Sequence, residues 1–254
     1  MITGRTLTFE GEKRVTAVAQ RLNALQHSFT IQPVISCTGE LLSPMLVVFA
    51  IQKEPQIFKQ EMTLFENLFA KSTPSGLCDA EIIVEWFQKL MLPATNQGSV
   101  LLVDSWGGYN QAIQSVVVQQ HLYTEIIPPK ATSRIQPLDI YFNRPFKNML
   151  RRISDKTRLK YSDHILAVRE NIAKIISLVH YQFTAQRFKP LIAYAWFASG
   201  YIPDRPPKVP TPAEYCMDFP PASRCNCNGL GFLRCAHCEQ VFCFQHIVVE
   251  KHRC

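Results

Sequence analysis

Two aspartates and a terminal run of cysteines and histidines are the residues in this chain whose types and spacing could do chemistry. The apolar run Val100-Leu101-Leu102-Val103 ends on Asp104. A second acid, Asp139, closes the stretch from Ile126-Ile127-Pro128-Pro129-Lys130 through Arg134 to Gln136-Pro137-Leu138. A carboxylate at the end of a buried strand is costly unless a cation or a donor meets it. Two of them, brought together by the fold, would suit a hard divalent cation such as magnesium or manganese. The plainer reading is that Asp104 caps the following turn and Asp139 caps a helix, positions where Asp is common.

The tail holds four close pairs: Cys225 and Cys227, Cys235 and Cys238, Cys243 and His246, His252 and Cys254. Zinc takes four sulfur or nitrogen ligands, and a short pair lets one turn present two of them. Eight candidates imply two ions. A segment this short has no adequate core of its own, so metal binding would supply its folding energy. Interleaved cysteines and histidines read as metal ligation in a reducing compartment, not as a disulfide framework. Cys37 and Cys78 have apolar neighbours and read as inert core residues.

Charge is as uneven as cysteine. The chain carries a formal +7. Between Lys130 and Lys160 lie nine basic residues, including Lys130, Arg134, Arg144, Lys147, Arg151 and Arg152, against only Asp139 and Asp155. That block accounts for the whole excess. A basic block beside candidate acids suits a phosphate backbone, DNA or RNA, through charge neutralisation and counterion release. The alternative is a solvated helix face.

The words around the acids resemble the catalytic core of pogo- and mariner-type DDE/D transposases. The matching words are Thr30-Ile31-Gln32-Pro33, Asp104-Ser105-Trp106, and Gln136-Pro137-Leu138-Asp139, with the Asp104-to-Asp139 interval and Pro128-Pro129-Lys130 the most specific. The resemblance covers roughly residues 4 to 200. It implies an RNase H-like sheet, two metal ions held partly by Asp104 and Asp139, strand cleavage and transfer on DNA, and a nuclear location. This chain departs from the pattern at one place. The family's first catalytic acid precedes a segment like Gly4-Arg5-Thr6-Leu7, and here no Asp occurs before Asp79. The expectation is a core lacking its first, central strand, so that two strand edges face a gap; unpaired edges are sticky. The chain would then be a fragment of a longer product.

The tail from Cys235 to Cys254 resembles the AN-one-type zinc finger, with a tighter first pair at Cys225 and Cys227. That resemblance implies a cross-braced arrangement: Cys225, Cys227, Cys243 and His246 on one zinc, Cys235, Cys238, His252 and Cys254 on the other. Cys216 could replace a front ligand, and His237 would be exposed between ligands.

Several elements must position these residues. The segment from His27 to Phe49 reads as a hairpin turning at Thr38-Gly39-Glu40. Gln52 to Leu77 is mixed. Asp79 to Leu92 has helical spacing, stopped by Pro93. Val100–Val103 and Thr124–Ile127 flank a helix over Asn110 to Gln120, a βαβ pattern with parallel strands. Asp104 then sits at a strand's carboxyl end, where sites form in open α/β sheets. A helix starts at Asp139 and meets Pro145, which should kink or break it. Ser162 could cap a long helix and Thr184 begins another. Seven prolines between Pro203 and Pro221 suggest an extended spacer. The expected organisation is an α/β core over 1–202 (RNase H-like mixed sheet flanked by helices), a linker over 203–221 and a small zinc-bound module over 222–254. No apolar run approaches the roughly 20 residues that span a bilayer, and no secretory signal is evident.

Three functions follow. The first is a transposase-derived nucleic-acid-binding protein with impaired catalysis. The second is an active nuclease whose first acid comes from Glu10, Glu12 or a partner chain. The third is an adaptor whose zinc module binds a protein. The sequence leaves the oligomeric state open.

Overall fold

The computed structural model describes residues 29–109, 122–161, 163–166 and 168–254. Glu10, Glu12, His27, the helix expected over Asn110 to Gln120 and the cap expected at Ser162 lie outside the described residues.

The architecture is mixed α/β, with small sheets flanked by helices. Strands β1 (Phe29–Gln32), β2 (Met45–Ala50) and β3 (Leu68–Thr73) form one sheet in that order. β1 and β2 are the antiparallel arms of the expected hairpin, with Phe29 opposite Phe49. β3 runs parallel to β2, with Met45 beside Leu68. A parallel neighbour needs a crossover, and helix α1 (Gln56–Met62) supplies it. The mixed segment therefore contains a helix and a strand that hydropathy did not mark. Cys37 is exposed, not core. It sits in the tight turn where Gly39 adopts φ +88° and Ser36 bonds the Glu40 amide.

β2 explains how the layers are joined. Its Met45, Val47 and Phe49 enter one core, and Leu46 and Val48 enter another. Alternate residues of a strand point to opposite faces, so a continuous apolar run means burial on both sides. The second core is closed by helix α2 (Ala80–Trp86), whose Ile83 and Trp86 pack against Leu46 and Val48. Asp79 caps that helix by accepting from the Ile82 N–H at 2.8 Å.

Strands β4 (Val100–Val103) and β5 (Tyr123–Ile126) form a second, parallel pair with Val103 beside Ile126. After β5 come the short helix α3 (Thr132–Ile135) and a π turn over Leu138–Phe142. The long helix α4 (Asn143–Lys160) follows without a break. Pro145 does not break it, and Pro93 does not end α2 where expected, because helical turns continue to Ala94. In both places a π turn stands just before the proline, Phe87–Met91 and Leu138–Phe142. The wider turn carries the hydrogen-bond register past the missing N–H.

Helix α5 (Arg169–Phe183) begins at Arg169, later than Ser162. Ile165 and Val168, expected on its apolar face, are largely exposed in the preceding loop. Helix α6 (Lys189–Ala198) completes the layer. The proline-rich stretch is not extended throughout. Helix α7 (Pro212–Met217) forms inside it, begun by a capping box between Thr211 and Glu214. Its Ala213 and Cys216 are buried in the main core. The tail, with hairpin β6 (Leu233–Arg234) and β7 (Val241–Phe242), adds Phe232, Phe244 and Ile247 to that same core. Among the described residues no helix is long and apolar enough to cross a membrane.

One buried polar network ties these parts together. His180 on α5 donates from Nε2 to the Leu42 carbonyl at 2.9 Å and accepts from Asn67 Nδ2 at 3.1 Å. Ser177 Oγ donates to Asn67 Oδ1 at 2.6 Å and accepts from Arg253 at 2.7 Å. This geometry needs neutral imidazole. Burial pushes the His180 pKa down to about 4, the Leu42 hydrogen bond opposes that, and the Arg253 charge adds to it. The unfolded chain takes up this proton near pH 6.5 and the folded chain only near pH 4. Stability is therefore full above the unfolded value and falls as pH drops toward the folded one, by about 1.4 kcal/mol per unit. Urea midpoints should fall across that window and fall less in His180→Gln. Equal pH slopes would remove His180 as the cause.

Candidate functional site

Asp104 follows the last residue of β4. The parallel register continues past the strand ends, with the Ile127 N–H on the Val103 carbonyl at 2.7 Å. Asp104 is half-buried and accepts from the Trp106 N–H at 3.1 Å. The capping role is thus real, and it leaves the second carboxylate oxygen for another partner. Asp104 lines a cavity of about 970 Å³ together with Gln136, Pro137 and Leu138. Gln32 to Ser36 at the end of β1 and all of β4 border the same cavity. Among the described residues β1 pairs only with β2, and β4 only with β5. Tyr109 also lines it. Burial raises its pKa and the nearby Asp104 and Cys78 add to that, while a hydrogen bond with Gln32 works the other way.

Asp139 stands one residue beyond the cavity lining. It is exposed in the π turn and accepts from Asn143 Nδ2 at 3.1 Å. Folding thus brings Gln136, Pro137 and Leu138 to the cavity that Asp104 lines, with Asp139 outside that lining. Among the described residues neither acid joins a group of three or more possible ligands. Each of the two carboxylates already holds one internal donor.

The basic residues divide. An α-helix advances about 100° per residue, so Arg144, Lys147 and Arg151 share one stripe of α4. The buried Phe146, Met149 and Ile153 occupy the opposite side. Arg144, Lys147 and Arg151 are exposed, as are Lys130 and Arg134 upstream, and among the described residues no ion pair engages any of the five. Arg152 differs. It pairs with Asp218 at 2.7 Å and donates to the Ala213 carbonyl at 3.3 Å. On α4 it faces α7, and its charge is engaged in docking that helix.

The tail forms two ligand clusters. One gathers Cys225, Cys227, Cys243 and His246, the other Cys235, Cys238, His252 and Cys254, with ligand atoms all within 4.8 Å of one another in each. Cys227 and Cys243 sulfurs are 3.7 Å apart, as are those of Cys235 and Cys254. His246 Nδ1 is 3.1 Å from the Cys225 sulfur, and His252 Nε2 is 3.6 Å from that of Cys238. Tetrahedral ligands at zinc-like bond lengths stand roughly 3.3–3.8 Å apart, so both clusters fit one metal ion each. Burial works against the Cys225 thiolate, but the Cys227 and Cys243 amides and His246 outweigh it and hold its pKa at about 6. Cys238 is pushed up to about 11 by burial and by Cys254 and Cys235. A bound cation would relieve that like-charge penalty. Gly229 packs tightly here: a Cβ would meet Cys243 Cβ at 3.1 Å and the Cys227 sulfur at 3.2 Å, so the ligands would have to shift by a few tenths of an ångström. Cys216 belongs to neither cluster, since its sulfur lies against Gln182 Oε1 at 3.9 Å.

The second cluster is seated on α5. Gln182 accepts from the Ala236 N–H at 2.6 Å, and Tyr181 Oη accepts from the Cys254 N–H at 2.8 Å. Arg253 lies over the Tyr181 ring at 4.3 Å. His237 is exposed as expected, yet it stacks on Tyr181 at 4.2 Å and contacts its carbonyl at 2.8 Å. Sequence reasoning missed Gln182 and Tyr181, and the available signal was a glutamine at the end of the apolar face of an amphipathic helix. The first cluster has its own support, with His246 Nε2 lying 3.5 Å from Glu250.

Comparison with known families gives two matches. The DDE superfamily endonuclease family matches residues 31–198. The Tc5 transposase C-terminal domain matches residues 196–254. The two meet in the last turn of α6, ahead of the proline-rich stretch. No curated protein and no solved structure matches the chain.

Because the clusters and the main core share side chains, metal loss should reach beyond the tail. Cys225→Ser is expected to reduce bound metal from two ions to one per chain by elemental analysis. Chelation of the wild type should lower the melting temperature of the whole chain in one transition. Two separate transitions, with the core unaffected, would contradict this coupling.

Proposed function

We propose a function from the premise that this chain belongs to the DDE superfamily endonuclease family: it is a transposase-derived protein that binds DNA, with RNA as a secondary ligand, and whose strand-cleaving chemistry is impaired. The observation that carries the proposal is the exposed stripe of Arg144, Lys147 and Arg151 on the helix that follows Asp139. Lys130 and Arg134 extend that cationic rim toward the ends of the parallel strands. Phosphate contacts position a duplex without reading its sequence.

A magnesium or manganese ion bound by Asp104 and Asp139 would activate an attacking water and stabilise the leaving oxygen. On the chain's side, the Trp106 N–H orients the Asp104 carboxylate and Asn143 orients Asp139. Two acids give such an ion fewer protein ligands than three, which is why weak binding and negligible cleavage are proposed. The thiolate and imidazole clusters suit zinc, and two zinc ions with a structural role are proposed there. A nuclear location follows from the DNA-binding reading.

A second reading keeps the enzyme active, with a first acid from Glu10, Glu12 or a partner chain. The large cavity beside Asp104 favours it, since an added segment has room there. A third makes the zinc module a protein adaptor. Its burial against α5 and α7 weighs against a free-standing role.

Two measurements test the proposal. The logarithm of duplex DNA affinity should fall linearly with the logarithm of salt concentration, and replacing Arg144, Lys147 and Arg151 by Ala should flatten the slope by about three units. Salt-insensitive binding, or capture of a protein by the tail alone, would favour the adaptor. The purified chain should leave supercoiled plasmid intact in magnesium or manganese. Metal-dependent nicking that disappears in Asp104→Ala would establish the active reading instead.

A further inference from the structure

The indole of Trp106 is the feature of this rim that no role yet explains. It is 41% exposed, although a side chain of this size is usually mostly covered. It is also held. Tyr109 meets it edge-to-face at 5.5 Å and 87°. The backbone N–H of the same residue is fixed on Asp104 at 3.1 Å. Gly108 makes room for it, because a Cβ there would lie 2.2 Å from the indole ring. A large flat apolar face is thus presented at the carboxyl ends of two parallel strands.

The surrounding charges narrow what can cover that face. The Asp104 carboxylate beside it repels phosphate, so the covering group is uncharged. The register places the exit of β5 next to the exit of β4. Lys130, at φ 67°, and Arg134 follow from that exit and offer cations for the flanking phosphates. An aromatic platform with cations at its margin is how unpaired bases are bound.

We propose that Trp106 is a stacking platform for an unpaired nucleobase, so that a single-stranded or frayed end is held beside Asp104. The inference rests on the DNA-binding reading above and adds the strand state and the contact residue. Gly108 and Tyr109 act as positioning residues, since they set where the indole lies.

Indole emission gives the test. Trp86 is buried and Trp196 half-buried, so Trp106 is the most exposed of the three tryptophans. Titrating the full chain with oligothymidine should quench emission to saturation, and a blunt duplex should quench less. Trp106→Ala should remove most of the quenching and weaken oligothymidine binding by about tenfold, with a smaller effect on duplex affinity and the melting temperature little changed. Gly108→Ala keeps the indole but displaces it, and should weaken the same binding. If Trp106→Ala quenches and binds like the wild type, the platform is refuted while salt-dependent duplex binding still supports the DNA reading. If neither nucleic acid binds, both readings fail together.

Discussion

Strand β2 has no solvent-facing side. Met45, Val47 and Phe49 point into the core shared by α4, α5 and the tail, and Leu46 and Val48 point into the core under α2. A one-residue slip of β2 would exchange those two sets. Its pairing with β1 and β3 is thereby held, and so are the layers on either side. The site depends on this indirectly. Leu101 of β4 packs on the second core, and Phe142 after Asp139 belongs to the first. The two acids are carried by elements whose relative position is set through β2.

The tail is integrated with the rest to a degree its composition does not suggest. Its ligands come from short loops, yet those loops rest on Tyr181, Gln182 and Arg187 of the main body, with Arg187 bonding the Ala236 carbonyl at 2.9 Å. Tyr215 on α7 lies between Arg187 and Arg234, at 3.9 and 4.2 Å from their guanidinium carbons. Lys156 of α4 donates to the Phe232 carbonyl at 2.6 Å and lies over the Phe219 and Phe232 rings. Part of the basic block thus serves internal docking, and its outer stripe remains open.

What could be read from residues alone follows physical lines. The hairpin and the parallel β4–β5 pair were legible because apolar runs bounded by turn residues have few other uses. The eight ligands were legible because paired thiols and imidazoles in a short segment have fewer still. β3 was not, since Phe69, Ala70, Lys71 and Ser72 are only half-buried and alternate weakly. The roles of Arg151 and Arg152 could not be separated in sequence. Only the fold brings Asp218 to one and solvent to the other. Cys37 has apolar neighbours, but a tight turn turns it outward. Trp106 read as part of a family word, and its exposure became evident only with Tyr109 and Gly108 in place.

The interleaving of the two clusters has a topological consequence. The segment from Cys235 to Cys243 lies inside both closed loops, one running from Cys225 to His246 and the other from Cys235 to Cys254. Its tip, at His237, Glu239 and Gln240, is exposed and is where a protease would find the backbone. With an ion in each cluster, a cut there would sever the polypeptide but not the assembly, because each cluster draws residues from both sides of the break. The clipped protein would stay in one piece in native buffer and come apart when its ions are withdrawn.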